Sequence, residues 1–284
     1  MININIFYNI RKNMPQFLKM LFPKFLKKKI KKKLFPYYYQ VTDYEKLPKY
    51  NYINNNNIRL QENLIEKFKV DNKQNSITSC PHLINLLLMK YKPDEKFSFL
   101  DIGGEYIDFF LVLKKNFKNV EYYVFNLESI NKDCEKLKDK YNYMNLNVIQ
   151  DEKSIFKNNY DFVNFGSCIQ YFENYENFLL NITRVANQIF FSGTILYDSH
   201  NENHKKHIIV KQLNVYPSIN YLYFFNKFYF YKFFYEKNFD LLFECKNLTD
   251  NVNFKNFNGI FESVEYKDFS FIKKNPQKFV SEGF

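Results

Sequence analysis

Between Phe97 and Asn126 the chain reads FSFLDIGGEYIDFFLVLKKNFKNVEYYVFN: an apolar strand ending in an acid, two adjacent glycines, a helix-length apolar segment and a second apolar strand. This is the pattern of a β-α-β unit opening a nucleotide-type binding fold. At the carboxyl end of a strand in an open α/β sheet, Gly103 and Gly104 let the backbone turn sharply and approach a ligand with no Cβ in the way. The turn carries no GxGxxG fingerprint, which argues against a nicotinamide dinucleotide site.

Downstream, strands and helices keep alternating. The expected strands are 97–102, 121–125, 144–149, 162–165 and 188–192, and the expected helices 107–116, 129–140 and 175–186. Alternation at this spacing predicts an α/β fold: a Rossmann-like, doubly wound, mostly parallel sheet with helices on both faces. A Tyr/Phe-rich stretch, 221–237, is expected to be helical. Segments 240–245 and 267–272 are expected as a terminal strand pair with one strand antiparallel. Before the sheet, apolar residues at 58–68 and 83–89 predict amphipathic helices, with Ser79 and Pro81 suited to start the second. The expected organisation is a basic N-terminal segment (1–42), a helical cap (43–95) and a Rossmann-like domain with a helical and stranded C-terminal extension (96–284).

Net charge is +11, but the ten basic residues of the first 42 meet no acid, leaving +1 for the remainder. A nearly neutral body lacks the basic face of a nucleic-acid binder, so no nucleic-acid partner is expected. Residues 14–35 mix Phe, Leu and Met with lysine runs and three nearby prolines; they are too charged to span a bilayer. They suit peripheral contact with anionic lipid, or a mobile basic arm. Four cysteines without a CxxC pair, and no secretory leader, place the chain in the cytoplasm by expectation, at most touching the inner face of the plasma membrane. His200, His204 and His207 have helical ligand spacing, but no motif completes them, so no metal is expected there.

In a doubly wound sheet the residues that touch ligand lie just past strand ends: Asp101, Gly103 and Gly104, then Asn126 and Glu128, then Gln150 and Asp151, then Gly166, Ser167 and Cys168. DIGGEYI (101–107) and SCIQY (167–171) together resemble the motifs of class I S-adenosylmethionine-dependent methyltransferases. More narrowly, they are similar to those of a little-characterised bacterial methyltransferase family associated with surface-polysaccharide synthesis. HIIVKQLNVYPS (207–218) and the basic, proline-containing N-terminal region extend the likeness over nearly the whole chain.

The resemblance implies S-adenosyl-L-methionine as cofactor, contacted by Asp101, Gly103, Gly104, Asn126, Asp151 and Ser167. It implies a saccharide or cell-envelope precursor as methyl acceptor, approached by Gln170 and Tyr171, with His200, His204 or His207 as general base for a hydroxyl. Three departures stand beside it. Ile107 replaces the family's third glycine, Asn126 replaces the usual ribose-binding acid, with Glu128 as a substitute nearby, and Gly193 stands where an Arg-Thr pair is usual. They motivate the alternative of a catalytically inactive binding or scaffolding protein on the same fold.

Overall fold

Apolar runs too continuous for a one-faced sheet account for the centre of the molecule. Strands such as FVNFG (162–166) are buried along both faces, as strands covered by helices on two sides must be. A computed structural model describes residues 38–48, 81–104, 107–199, 205–212, 220–247, 254, 257 and 261–276. Ten strands form one sheet within them.

In chain order the elements are β1 (Tyr38–Val41), α1 (Pro81–Lys90), β2 (Phe97–Ile102), α2 (Asp108–Asn116), β3 (Val120–Phe125), α3 (Glu128–Tyr141), β4 (Leu146–Val148), α4 (Glu152–Ile155) and β5 (Phe162–Gly166). A 3-10 turn (Ile169–Tyr171), α5 (Tyr175–Val185), β6 (Gln188–Asp198), β7 (His207–Gln212), β8 (Asn220–Asn226), α6 (Lys227–Tyr235), β9 (Phe239–Lys246) and β10 (Ser263–Lys273) follow. The main order is β1-β7-β8-β6-β5-β2-β3-β4, with β10 on the other edge of β6 and β9 beyond it. β4, β3, β2, β5 and β6 are parallel, and β9 and β10 are antiparallel additions.

Period-2 alternation divides the strand side chains between two cores. Phe97, Phe99, Tyr122, Val124, Phe162 and Phe190 pack beneath α1, α2 and α3. Leu100, Ile102, Val163, Phe165, Ile189 and Phe191 pack beneath α4, α5 and α6. This is the expected three-layer arrangement.

Three expectations are corrected. β6 does not stop at Ser192 but continues to Asp198, because β10 pairs with it throughout and β8 pairs with its far half. The stretch 221–237 is not one helix: its first part is β8, and the helix begins after Asn226, whose side chain accepts from the Phe228 N–H as an N-cap. Residues 38–41 form a strand antiparallel to β7 that no sequence signal announced. The expected helix at 58–68 and the basic segment 14–35 lie outside the described residues.

β5 and β8 share one edge of β6. β5 pairs with Ile189 to Ser192, and β8 only with Leu196 and Tyr197, so β8 and β7 stand beyond the carboxyl end of β5. This hairpin closes on the segment after β5: Tyr171 Oη donates to Gln212 Oε1 (2.9 Å), and Tyr223 Oη to the Glu173 carbonyl (3.2 Å). A wall thus rises over one side of the carboxyl edge.

Candidate functional site

The carboxyl edge is built outward from one buried acid. Asn164 stands directly opposite Asp101 in the β2/β5 register, and Tyr122 lies two pairs away on β3, opposite Phe99. Tyr122 Oη donates to Asp101 Oδ2 at 2.5 Å and Asn164 Nδ2 to Asp101 Oδ1 at 2.7 Å. Burial pushes the Asp101 carboxyl above its ordinary value, and the two hydrogen bonds oppose that rise.

Over this carboxylate the chain turns. Gly103 adopts φ +71°, a left-handed conformation that favours glycine, and its N–H donates to the Phe125 carbonyl. A Cβ on Gly103 would lie 2.4 Å from Cys168 Cβ, and one on Gly104 would lie 2.1 Å from Asp101 Oδ2. Both glycines are therefore required by protein neighbours, whatever the turn binds. Gly166, at the end of β5, faces the same turn, with Gly103 O and Gly104 Cα both 3.6 Å from where its Cβ would stand.

Asn126 closes the β3 side. Its Nδ2 donates to the Gly104 carbonyl (2.5 Å), and its Oδ1 accepts from the Leu127 N–H (2.8 Å). Asn131, fully buried on α3, accepts from the Asn126 N–H and donates to the carbonyls of Asn126 and Ile149, tying the ends of β3 and β4 together. Leu127, the N-cap residue of α3, leaves apolar surface exposed beside Asn126. Glu128 is exposed and pairs with Lys132. Asp151 caps α4 through both oxygens, accepting from Ser154 N and Oγ; these bonds hold its carboxyl below the ordinary range.

After β5, Ser167 sits at φ +54° and its Oγ donates to the Ser192 carbonyl. Cys168 Sγ lies 3.1 Å from the Ile102 carbonyl, and burial raises its thiol. Gln170 is 2% exposed: its Nε2 donates to the Ser167 carbonyl, but its Oε1 is buried with no partner among the described residues. A buried amide oxygen left unsatisfied is uncommon in native proteins.

The fold thus gathers Asp101, Gly103, Gly104, Asn126, Ser167 and Gln170 along adjacent strand ends, with Tyr171 on the hairpin wall and Asp151 at the β4 end. His207 is not part of that cluster. It opens β7 opposite Phe225, which pairs with Leu196. Four residues past Ser192 at about 3.3 Å each, that level lies roughly 13 Å beyond the strand ends. There the His207 ring shares a hydrogen bond between Nδ1 and Tyr175 Oη (2.9 Å) and packs on Tyr223. Burial lowers its pKa, and Glu176 partly opposes this. His200 and His204 lie outside the described residues. A cavity of about 380 Å³ lined by Asp198, Ser199, Asn226, Phe228, Glu262 and Ser263 opens at the far end of β6, away from the glycine turn.

Sequence reading missed Tyr122, Asn131 and Asn164. Asn164 meets Asp101 across 63 residues of chain, and only strand pairing shows that. Asn131, a polar residue among the buried positions of α3, was a readable signal.

No protein-family model and no curated protein matches the sequence. Solved structures do match in fold. The 1,6-didemethyltoxoflavin-N1-methyltransferase of Burkholderia thailandensis, bound to 1,6-didemethyltoxoflavin and S-adenosylhomocysteine, superposes with a TM-score of 0.50 at 8% identity, covering 84% of this chain and 99% of that one. The N-terminal domain of EvdMO1 with S-adenosylhomocysteine gives 0.48 at 12% identity, covering 71% and 82%. An S-adenosylmethionine-dependent methyltransferase from Clostridium acetobutylicum gives 0.47 at 8% identity, covering 77% and 100%. The fold is the Rossmann-like fold found in class I methyltransferases.

Proposed function

We propose that the protein is an S-adenosylmethionine-dependent methyltransferase acting on a small-molecule acceptor, specifically a saccharide or cell-envelope precursor. The observation that carries this reading is the edge itself: a diglycine turn at the carboxyl end of β2, with the orphaned Gln170 Oε1 on the neighbouring strand end. The orphaned oxygen fits a ligand that brings a donor, such as an acceptor hydroxyl.

The cofactor supplies a methyl group on a sulfonium, already a good leaving group, so the protein's task is alignment and exclusion of water. Asp101 shapes the turn from beneath, since its carboxylate fills the space under Gly104. The Gly103–Gly104 backbone, Asn126 and Glu128 line the ribose side, and the exposed Leu127 offers apolar surface to a purine beside Asp151. Ser167 stands at the methionine end. Gln170 and Tyr171 face the acceptor, with the β7/β8 hairpin as the wall that keeps water out. A general base would come from His200 or His204, because His207 stands roughly 13 Å beyond the strand ends.

A second reading has its own support. Both glycines are needed for internal packing, and the Asn126 amide is spent on Gly104 and Leu127, as a scaffold that kept the fold without catalysis would have it. Calorimetric titration separates the two. Saturable S-adenosylmethionine binding, lost in Leu127→Glu and absent for NAD, supports the enzyme; no binding at millimolar cofactor favours the scaffold.

The lysine-rich residues 1–35 would rest on anionic lipid at the inner face of the plasma membrane, ahead of a helical cap (43–95) and the methyltransferase domain (96–284). No helix among the described residues is long and apolar enough to cross a membrane. Equal partitioning onto phosphatidylserine vesicles with and without residues 1–35 would remove the lipid contact.

A further inference from the structure

We propose that His82, Cys245 and Asp268 form a binding site for a divalent transition-metal ion of the zinc class. A ring nitrogen of His82, the Cys245 sulfur and a carboxylate oxygen of Asp268 all lie within 4.8 Å of one another. The three come from distant parts of the chain. His82 is in the first turn of α1, while Cys245 on β9 and Asp268 on β10 are direct cross-strand partners. The register of β10 slips between Lys267 and Phe269, which places Asp268 at the irregularity.

Two observations point to a missing ligand. His82 Nε2 is buried with no hydrogen-bond partner among the described residues. Asp268 is 1% exposed, and no cation pairs with it among the described residues; it accepts only from the Gly193 N–H (2.8 Å) and Asn247 Nδ2 (2.7 Å). Both bonds fall on Oδ1, leaving Oδ2 for another partner. Buried carboxylates are ordinarily paired with a cation or coordinate a metal. Hydrogen bonds that orient a carboxylate are the outer support that metal ligands usually carry.

The donor set selects the ion. Imidazole nitrogen, thiolate sulfur and carboxylate oxygen together suit zinc and its neighbours rather than magnesium or calcium, which prefer oxygen alone. A tetrahedral ion with bonds of about 2.0–2.3 Å holds its ligand atoms about 3.5 Å apart, so the cluster need draw in by no more than roughly an ångström. On metal binding the sulfur–metal bond forms as the thiol proton leaves to solvent.

Such an ion would pin the start of α1 to the β9/β10 hairpin. It would also sit next to Gly193, where an added Cβ would lie 2.4 Å from Ser167 Oγ. This site is independent of the proposed methyl transfer.

The test uses the full chain, stripped with chelator and titrated with Co²⁺ and then Zn²⁺. One equivalent of Co²⁺ should give a near-ultraviolet thiolate charge-transfer band with tetrahedral visible bands, and Zn²⁺ should displace it. Calorimetry in buffers of different ionisation enthalpy should read about one proton released per ion. Cys245→Ser should abolish the charge-transfer band, and His82→Gln should weaken Zn²⁺ binding by at least about tenfold, the scale that loss of even an outer partner produces. Metal-free thermal midpoints equal to the parent's would show that both variants fold. Absence of stoichiometric binding, or a charge-transfer band that survives Cys245→Ser, would overturn the assignment.

Discussion

Replacing Gly104 with alanine tests whether the diglycine turn is shaped by its own protein neighbours. The new Cβ would stand 2.1 Å from Asp101 Oδ2 and 2.6 Å from Cγ, more than an ångström inside ordinary contact. Unlike Gly103, Gly104 does not have a positive φ, so alanine tests space alone. Asp101 can yield only by giving up its bonds from Tyr122 and Asn164. Each hydrogen bond to a charged group contributes about 1.5–3 kcal/mol, and overpacking a core costs about 1–3 kcal/mol. Losing one such bond or both, with residual strain, gives a destabilisation of about 3–6 kcal/mol, a large share of the 5–15 kcal/mol typical of a domain. Urea unfolding followed by circular dichroism measures it. In an Asp101→Ala background the clash disappears, so the same substitution there should cost under about 1 kcal/mol, a strong coupling between the sites. A Gly104→Ala protein within about 0.5 kcal/mol of the parent, with additive double-mutant effects, would refute the packing argument.

Asp101 also predicts a pH dependence. Its folded-state pKa is raised above 3.8, so its favourable contribution is complete below that value and is lost as pH rises through the folded value. The stability of Asp101→Asn relative to the parent should therefore improve as pH rises from about 4 towards 7; a pH-independent difference would contradict the burial argument. Asn131→Ala should lose about 2–4 kcal/mol by orphaning the Asn126 N–H and the carbonyls of Asn126 and Ile149, with faster hydrogen exchange at Asn126. Unchanged exchange there would show that Asn131 does not hold the strand ends.

Much of the sheet was legible because its signal is local. The apolar runs at 97–102 and 162–165, and the helix between Ile107 and Asn116, appear within a residue or so of expectation. The failures have physical causes. In β8 every residue from Leu222 to Asn226 is buried, so the period-2 pattern that distinguishes a strand from a buried helix is missing. The Asn226 cap, which could have marked the boundary, was hidden in a continuous aromatic run. Ser192, Gly193 and Thr194 interrupt the apolar run that defines the strand in the sequence; pairing with β10 carries it on through Gly193, whose φ is +53°.

The alternation of strands and helices from Phe97 to Ser192, the diglycine turn and the row of strand-end residues follow from the sequence by itself, because each depends on neighbours within a few positions. Tertiary structure alone decided what those residues face. Asp101 bonds Asn164 across 63 positions, Gly193 meets Asp268 across 75, and His82, Cys245 and Asp268 converge from a helix and two strands. Such contacts are set by sheet register and helix docking, which minimise the free energy of the whole chain and leave no trace in any short window of it.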